Sequence, residues 1–209
     1  MTPDHNKAAT KAAETLVKYG VCTAPVSPLQ ILEKMDNVIV VSFEELGENI
    51  APTFGRCRDA VTSIHIRDDR SVYVVAYNGL LPFNLLQRAL ARELGHIVLG
   101  HKDRGPDNEI EAQHFAMHLL CPRPLVHAIQ AISMRFTEDL LGNLTGIYQQ
   151  PLVYIRKVPG ADVPEGLNRF VRNQFMPFIM NFFDYYRQIV PQDGSAIADF
   201  GTYMDNYKE

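Results

Sequence analysis

The apolar positions of this chain change their period as it runs. Over residues 5–19, Ala, Lys and Glu alternate with Leu16 and Val17, which predicts a helix ending near Gly20. Ser27-Pro28 opens a second, short helix, with Ser as its N-cap and Pro in its first turn. The run from Asn37 to Phe43 is β-branched and apolar and predicts a strand. Ala60–Ile66 and Val72–Tyr77 predict two more, joined by a hairpin turn at Arg67-Asp68-Asp69-Arg70. These three segments imply a small, mainly antiparallel sheet.

From Pro82 the period becomes helical. Leu85, Leu86, Ala89, Leu90, Leu94, Ile97 and Val98 recur at helical spacing, and Gly100 stops the run. A polar loop, His101–Pro106, leads to a helix from Asp107 to Leu120 with Ala112, Phe115, Ala116 and Leu119 on one stripe. Pro122 ends it. Short helical pieces and turns follow up to Val158, and Val158–Gly166 carries the one strong linker signal. Beyond it, Leu167–Val190 is rich in Phe, Met and Tyr and predicts a long helix perturbed at Pro177, with a frayed tail after it. The organisation implied is a main domain over 1–158 and an aromatic helical extension over 159–209. Few basic residues lie on that extension, so its apolar stripe suits core packing or an oligomer surface better than a membrane.

Composition narrows the function classes. The 209 residues are 46% hydrophobic and 21% charged, ordinary for one folded domain with an extension. A formal net charge of −4 argues against direct nucleic-acid binding through a broad basic surface. Cys22, Cys57 and Cys121 form no CxxC pair and fit reduced thiols in a cytoplasmic protein. Neither a signal-peptide core nor a run of about 18 apolar residues occurs, so no export and no membrane span are expected.

The chemistry concentrates at Arg92-Glu93-Leu94-Gly95-His96 on the first central helix and Glu111 on the second. In an HExxH helix, two histidines at i and i+4 grip zinc, the intervening Glu is general base, and a following helix supplies a third ligand. Zinc lowers the pKa of its bound water to about 7, and the Glu takes the proton as the water attacks a carbonyl. Here Glu93 and His96 keep that separation, whereas Arg92 stands at the first histidine's position. Arginine stays protonated and offers no lone pair. The usual three-ligand site cannot be assembled. On its own, ExxH is a weak signal, more often the mark of a surface Glu and a part-buried His on an amphipathic helix.

The stretch LLQRALARELGHIVLGH, followed by EIEAQHFAMHLLCPRPLV, resembles the ImmA/IrrE family of metallopeptidase-like proteins. That family shows a helix of the type LAHELGHILLGH followed by EANRFAAELLMP. The match is close over residues 82–127 and looser over the preceding strands and over Phe136–Lys157. What the resemblance implies is an α+β, zincin-like fold whose site faces a cleft beside the sheet. Glu93 then corresponds to the catalytic base, His96 to the second zinc-binding histidine and Glu111 to the acidic third ligand. Arg92 replaces the remaining ligand, which puts zinc and hydrolysis in question. His101 fits the family's loop pattern without being an expected ligand.

Helical geometry sets Arg92 about 40° around from His96. We therefore expect its guanidinium to take the metal's electrostatic place and pair with Glu111. His114 is a rival ligand, either for a relocated mononuclear metal or, as Glu111-x-x-His114 beside Glu93-x-x-His96, for a di-iron pair. The latter needs two more inward carboxylates that the flanking strands lack. His118 would lie about 10 Å along the axis from Glu111, too far for an easy shared metal.

Two functions follow from the resemblance. One is a catalytically lapsed, regulatory protein of the mobile-element kind that binds a partner, such as a helix-turn-helix repressor, through the old substrate cleft. The other is a working metallo-endopeptidase with an altered ligand set. A plain helical interaction protein is a third reading, favoured by absence of a sheet before residue 80.

Overall fold

The computed structural model describes residues 2–47, 59–67, 69–132, 138–145 and 162–189. The linker signal at 158–161, the frayed tail, Cys57 and much of the looser match over 136–157 lie outside them.

The chain begins with α1 (His5–Lys18), capped by the Asp4 side chain, which accepts from the Lys7 backbone N–H. Gly20, at φ 64°, follows its end and supplies the left-handed conformation that a Cβ disfavours. Next comes α2 (Pro28–Glu33), with Ser27 as N-cap and Pro28 in the first turn. Strand β1 (Val38–Ser42) runs into a single-turn helix, α3 (Phe43–Leu46), closed by a Ser42/Glu45 capping box. Strands β2 (Ala60–Arg67) and β3 (Arg70–Tyr77) form the expected hairpin, and Asp69 adopts φ 58° in its turn. Asp is among the residues that tolerate that conformation.

The fold is α+β with a three-stranded sheet in the order β1-β3-β2. One expectation needs correcting. β2 pairs antiparallel with β3, but β1 pairs parallel with β3, so the sheet is mixed and not mainly antiparallel. The reason is topological. The tight β2–β3 hairpin occupies one edge of β3, and β1 docks on the other edge in β3's own direction. Val38, Val40, Tyr73 and Val75 share one face by register, and Val75 is fully buried on it. β2 is left as an edge strand among the described residues.

Against that face lies α4 (Phe83–Leu99), ended by Gly100 in the left-handed region at φ 73°. α5 (Pro106–Leu120) packs along α4, and α1 packs along α5. α6 (Arg123–Ile132) and α7 (Glu138–Thr145) follow. The last described helix, α8 (Glu165–Ile189), runs through Pro177 and docks on α6 and α1. Its Val171, Phe175, Phe178, Ile179, Phe182 and Phe183 share one core with Leu16, Leu90, Leu94, Phe115 and Leu119. The aromatic stripe of the extension is thus packed against the main body. No described helix is long and apolar enough to cross a membrane.

Gly95 sets the α4–α5 distance. A Cβ placed there would lie 3.0 Å from Phe115 Cδ1, 3.1 Å from the Ala112 carbonyl oxygen and 3.2 Å from Ala112 Cα. Two of these three atoms are backbone, which side-chain repacking cannot relieve. The glycine within the Glu93–His96 segment is therefore a packing requirement that lets the two helices bearing the site approach closely.

A second feature is a row of histidines between α1 and α5. His5 and His114 have ring centroids 3.8 Å apart. Burial, then the nearby His5, pushes His114 down to about 4. Burial, then the Arg123 charge, pushes His118 to about 4 as well.

Two predictions follow from this packing. Gly95→Val should overpack the α4–α5 crossing and lower unfolding stability by about 3 kcal/mol or more, read by urea denaturation. A loss under about 1 kcal/mol would show that the helices separate freely. The histidines set an acid limit. In the unfolded chain His114 and His118 titrate near 6.5, and in the fold near 4, so unfolding takes up protons. Stability is therefore full above about pH 6.5 and falls as pH drops from there toward about 4. His118→Gln should shallow that slope in urea unfolding curves taken across the window; an unchanged slope would contradict it.

Candidate functional site

Three elements meet at the site: the C-terminal half of α4, the loop 101–105 and the first turns of α5, with β2 alongside. Glu93 is at the centre and has no exposed surface. An isolated buried carboxylate costs several kcal/mol, so its partners decide whether this fold is tenable. Thr62 Oγ1, from β2, donates to Glu93 Oε2 at 2.8 Å. Arg92 Nη2 donates to Oε1 at 3.3 Å. Arg104, from the loop, donates Nη1 to Oε1 at 3.2 Å and Nη2 to Oε2. This two-pronged arrangement is the geometry in which guanidinium binds carboxylate most strongly.

Arg104 also ties in the next helix. Its Nη1 reaches Glu109 Oε1 at 3.5 Å. His96 Nε2 lies 3.3 Å from the same Glu109 oxygen but makes no hydrogen bond. Burial first, then the positive Arg104, lowers the pKa of His96, so its ring is neutral at pH 7.

Glu111 is satisfied separately. The Asp4 backbone N–H donates to its Oε1 at 2.8 Å. His101 Nε2 lies 3.2 Å from its Oε2, and Lys7 Nζ lies 3.9 Å from that oxygen. His101 Nδ1 is in turn 3.0 Å from His96 Nδ1. Which ring donates across the His96–His101 contact depends on the tautomer. Where His101 Nε2–H donates to the Glu111 carboxylate and its Nδ1 accepts from His96 Nδ1–H, His96 Nε2 is left as a lone pair, enclosed and facing the Glu109–Arg104 pair.

Glu93, His96 and Glu111 are thus brought into one neighbourhood, but not around one point. The His101 ring sits between His96 and Glu111, using a different nitrogen toward each. Among the described residues, no group of three His, Cys, Asp or Glu side chains converges as for a metal ion. As arranged, the donors do not fit a tetrahedral zinc.

The expected Arg92–Glu111 pair does not form. Arg92 turns to its neighbour Glu93, and its side chain is 27% exposed. The physical reason is competition: Glu111 already receives the Asp4 N–H and lies against His101, whereas Glu93 is enclosed and needs opposite charge most. His114, the rival ligand, stacks on His5 and is not among the contacts of Glu93, His96 or Glu111 described above.

Sequence reasoning missed Arg104, Thr62, Glu109, Asp4 and Lys7. Arg104 alone carried a usable signal, being a cation in the short loop that must pass over the end of α4. Beside the site, Thr62, Ile64, Tyr73, His96, Ile97 and residues 101–104 line a cleft of about 230 Å³. It lies along the edge strand β2, so a cleft beside the sheet is present, but of the expected site residues only His96 lines it, and Glu93 and Glu111 do not.

Comparison with known proteins yields no match: no family model, no curated protein and no solved structure aligns significantly with this chain.

Proposed function

We propose that this chain is an ImmA/IrrE-like, zincin-derived protein that no longer carries out zinc-dependent peptide hydrolysis and acts by binding a protein partner in the cleft beside β2. A helix-turn-helix repressor is the partner class that the resemblance implies, and a regulatory role in the cytoplasm follows from it.

One observation carries the reading. The carboxylate at the general-base position, Glu93, is fully enclosed and held by Arg104, Arg92 and Thr62. A general base must reach the proton that it abstracts, within about 2.6–3.2 Å or through one water. Arg92 at the first-ligand position removes an electron-pair donor as well. Base and ligand set are thus changed together, as expected of a site relieved of its chemistry.

The cleft keeps what recognition needs. Ile64 and Tyr73 give it an apolar wall, and Lys102, Asp103 and Arg104 give it a charged rim. Edge strand β2 offers backbone groups to an extended segment of a partner.

The test is metal content and proteolysis on the purified wild-type chain. Zinc, measured by plasma mass spectrometry after dialysis against micromolar zinc, should stay well below one ion per chain, with no cleavage of unfolded protein substrates. One tightly held zinc per chain that disappears in Glu111→Ala would sink the reading.

A further inference from the structure

The three carboxylates of this site carry more negative charge than Arg92 can offset. Glu93, Glu109 and Glu111 all stand within the α4–loop–α5 junction, and Arg92 touches Glu93 alone among them. Arg104 is the group that joins the first two, donating to Glu93 with both terminal nitrogens and to Glu109 with one. It reaches them from a loop fixed in place. Asp103 Oδ1 accepts from the Gly105 backbone N–H at 2.8 Å and from Asn108 Nδ2 at 2.9 Å. The guanidinium is thus delivered by a short, internally hydrogen-bonded loop and not by a free arm.

The second observation is His96. Only 5% of this residue is exposed, and its Nε2 has no hydrogen-bond partner although Glu109 Oε1 is 3.3 Å away. A buried imidazole nitrogen aimed at a carboxylate and left unbonded is a donor for a cation, and the place where that cation would stand is bordered by Arg104.

We propose that Arg104 is a tethered counter-cation that substitutes for a divalent ion in this site, and that it, more than Arg92, keeps zinc out. This rests on the reading above that the wild-type site is metal-free. The exclusion is electrostatic and steric at once. A zinc ion near His96 Nε2 and Glu109 would sit against a fixed positive charge, and Arg104 already takes the Glu109 oxygen that the ion would need. Restoring the missing histidine therefore does not restore the site while Arg104 remains.

The experiment compares zinc affinity, by isothermal titration with zinc chloride, in wild type, Arg92→His, Arg92→His/Arg104→Gln and Arg92→His/Arg104→Lys. The Arg104→Gln double variant should bind zinc at least about tenfold more tightly than Arg92→His alone, because one unit of opposing charge has been removed at contact distance. The Arg104→Lys double variant keeps the charge and should behave like Arg92→His. Equal affinity of Arg92→His and the Arg104→Gln double variant would overturn the role of Arg104 while leaving the wild-type reading intact. Stoichiometric zinc in wild type would instead overturn that reading. Should the Arg104→Gln double variant unfold on its own, zinc added on refolding should restore its native circular dichroism, since an ion that binds only the folded state stabilises it. Failure of zinc both to bind and to refold it would overturn the proposal.

Discussion

The structure around the site depends on matching one fully enclosed carboxylate with positive charge. Glu93 lies on the inner side of α4, under β2 and the loop 101–105, with no surface in contact with solvent. A metal ion nearby would be one way to balance it. In this chain the balance comes from side chains of the protein itself: Arg104 grips both oxygens, and Arg92 and Thr62 complete the shell. The same guanidinium reaches Glu109, so neutralising Glu93 also fixes how α5 departs from the loop.

The other features of the site fall into place around that pairing. Gly95 lets α4 and α5 approach until Ala112 backbone atoms would meet any added Cβ. That closeness brings His96, His101 and Glu111 into one hydrogen-bonded chain. α1 closes the far end, where the Asp4 N–H meets Glu111. Two buried atoms of the site, His96 Nε2 and Arg92 Nε, lack a hydrogen-bond partner, and the cleft opens beside β2 rather than onto Glu93.

Much of the fold was legible because local rules act locally. Alternation and β-branched runs located all three strands, and the apolar stripe with its Gly100 stop located α4. Strand orientation was not legible for β1, since its composition says nothing about which edge of β3 it joins or in which direction. At the site, helical spacing correctly brought Glu93, His96 and Glu111 into one neighbourhood. It failed for Arg92, because a long flexible side chain goes to the carboxylate in greatest need and not to the one its Cα faces. Arg104 escaped notice for a related reason: a loop has no period, so its side chains cannot be aimed from spacing.

The central claim is that Glu93 and Arg104 are energetically coupled inside the protein. A double-mutant cycle of Glu93→Gln and Arg104→Gln, read by urea unfolding without added metal, measures that coupling directly. The account predicts a coupling of about 1.5 kcal/mol or more, with Arg104→Gln much less harmful once Glu93 is neutral. Single-mutant effects that add to within about 0.5 kcal/mol would contradict it.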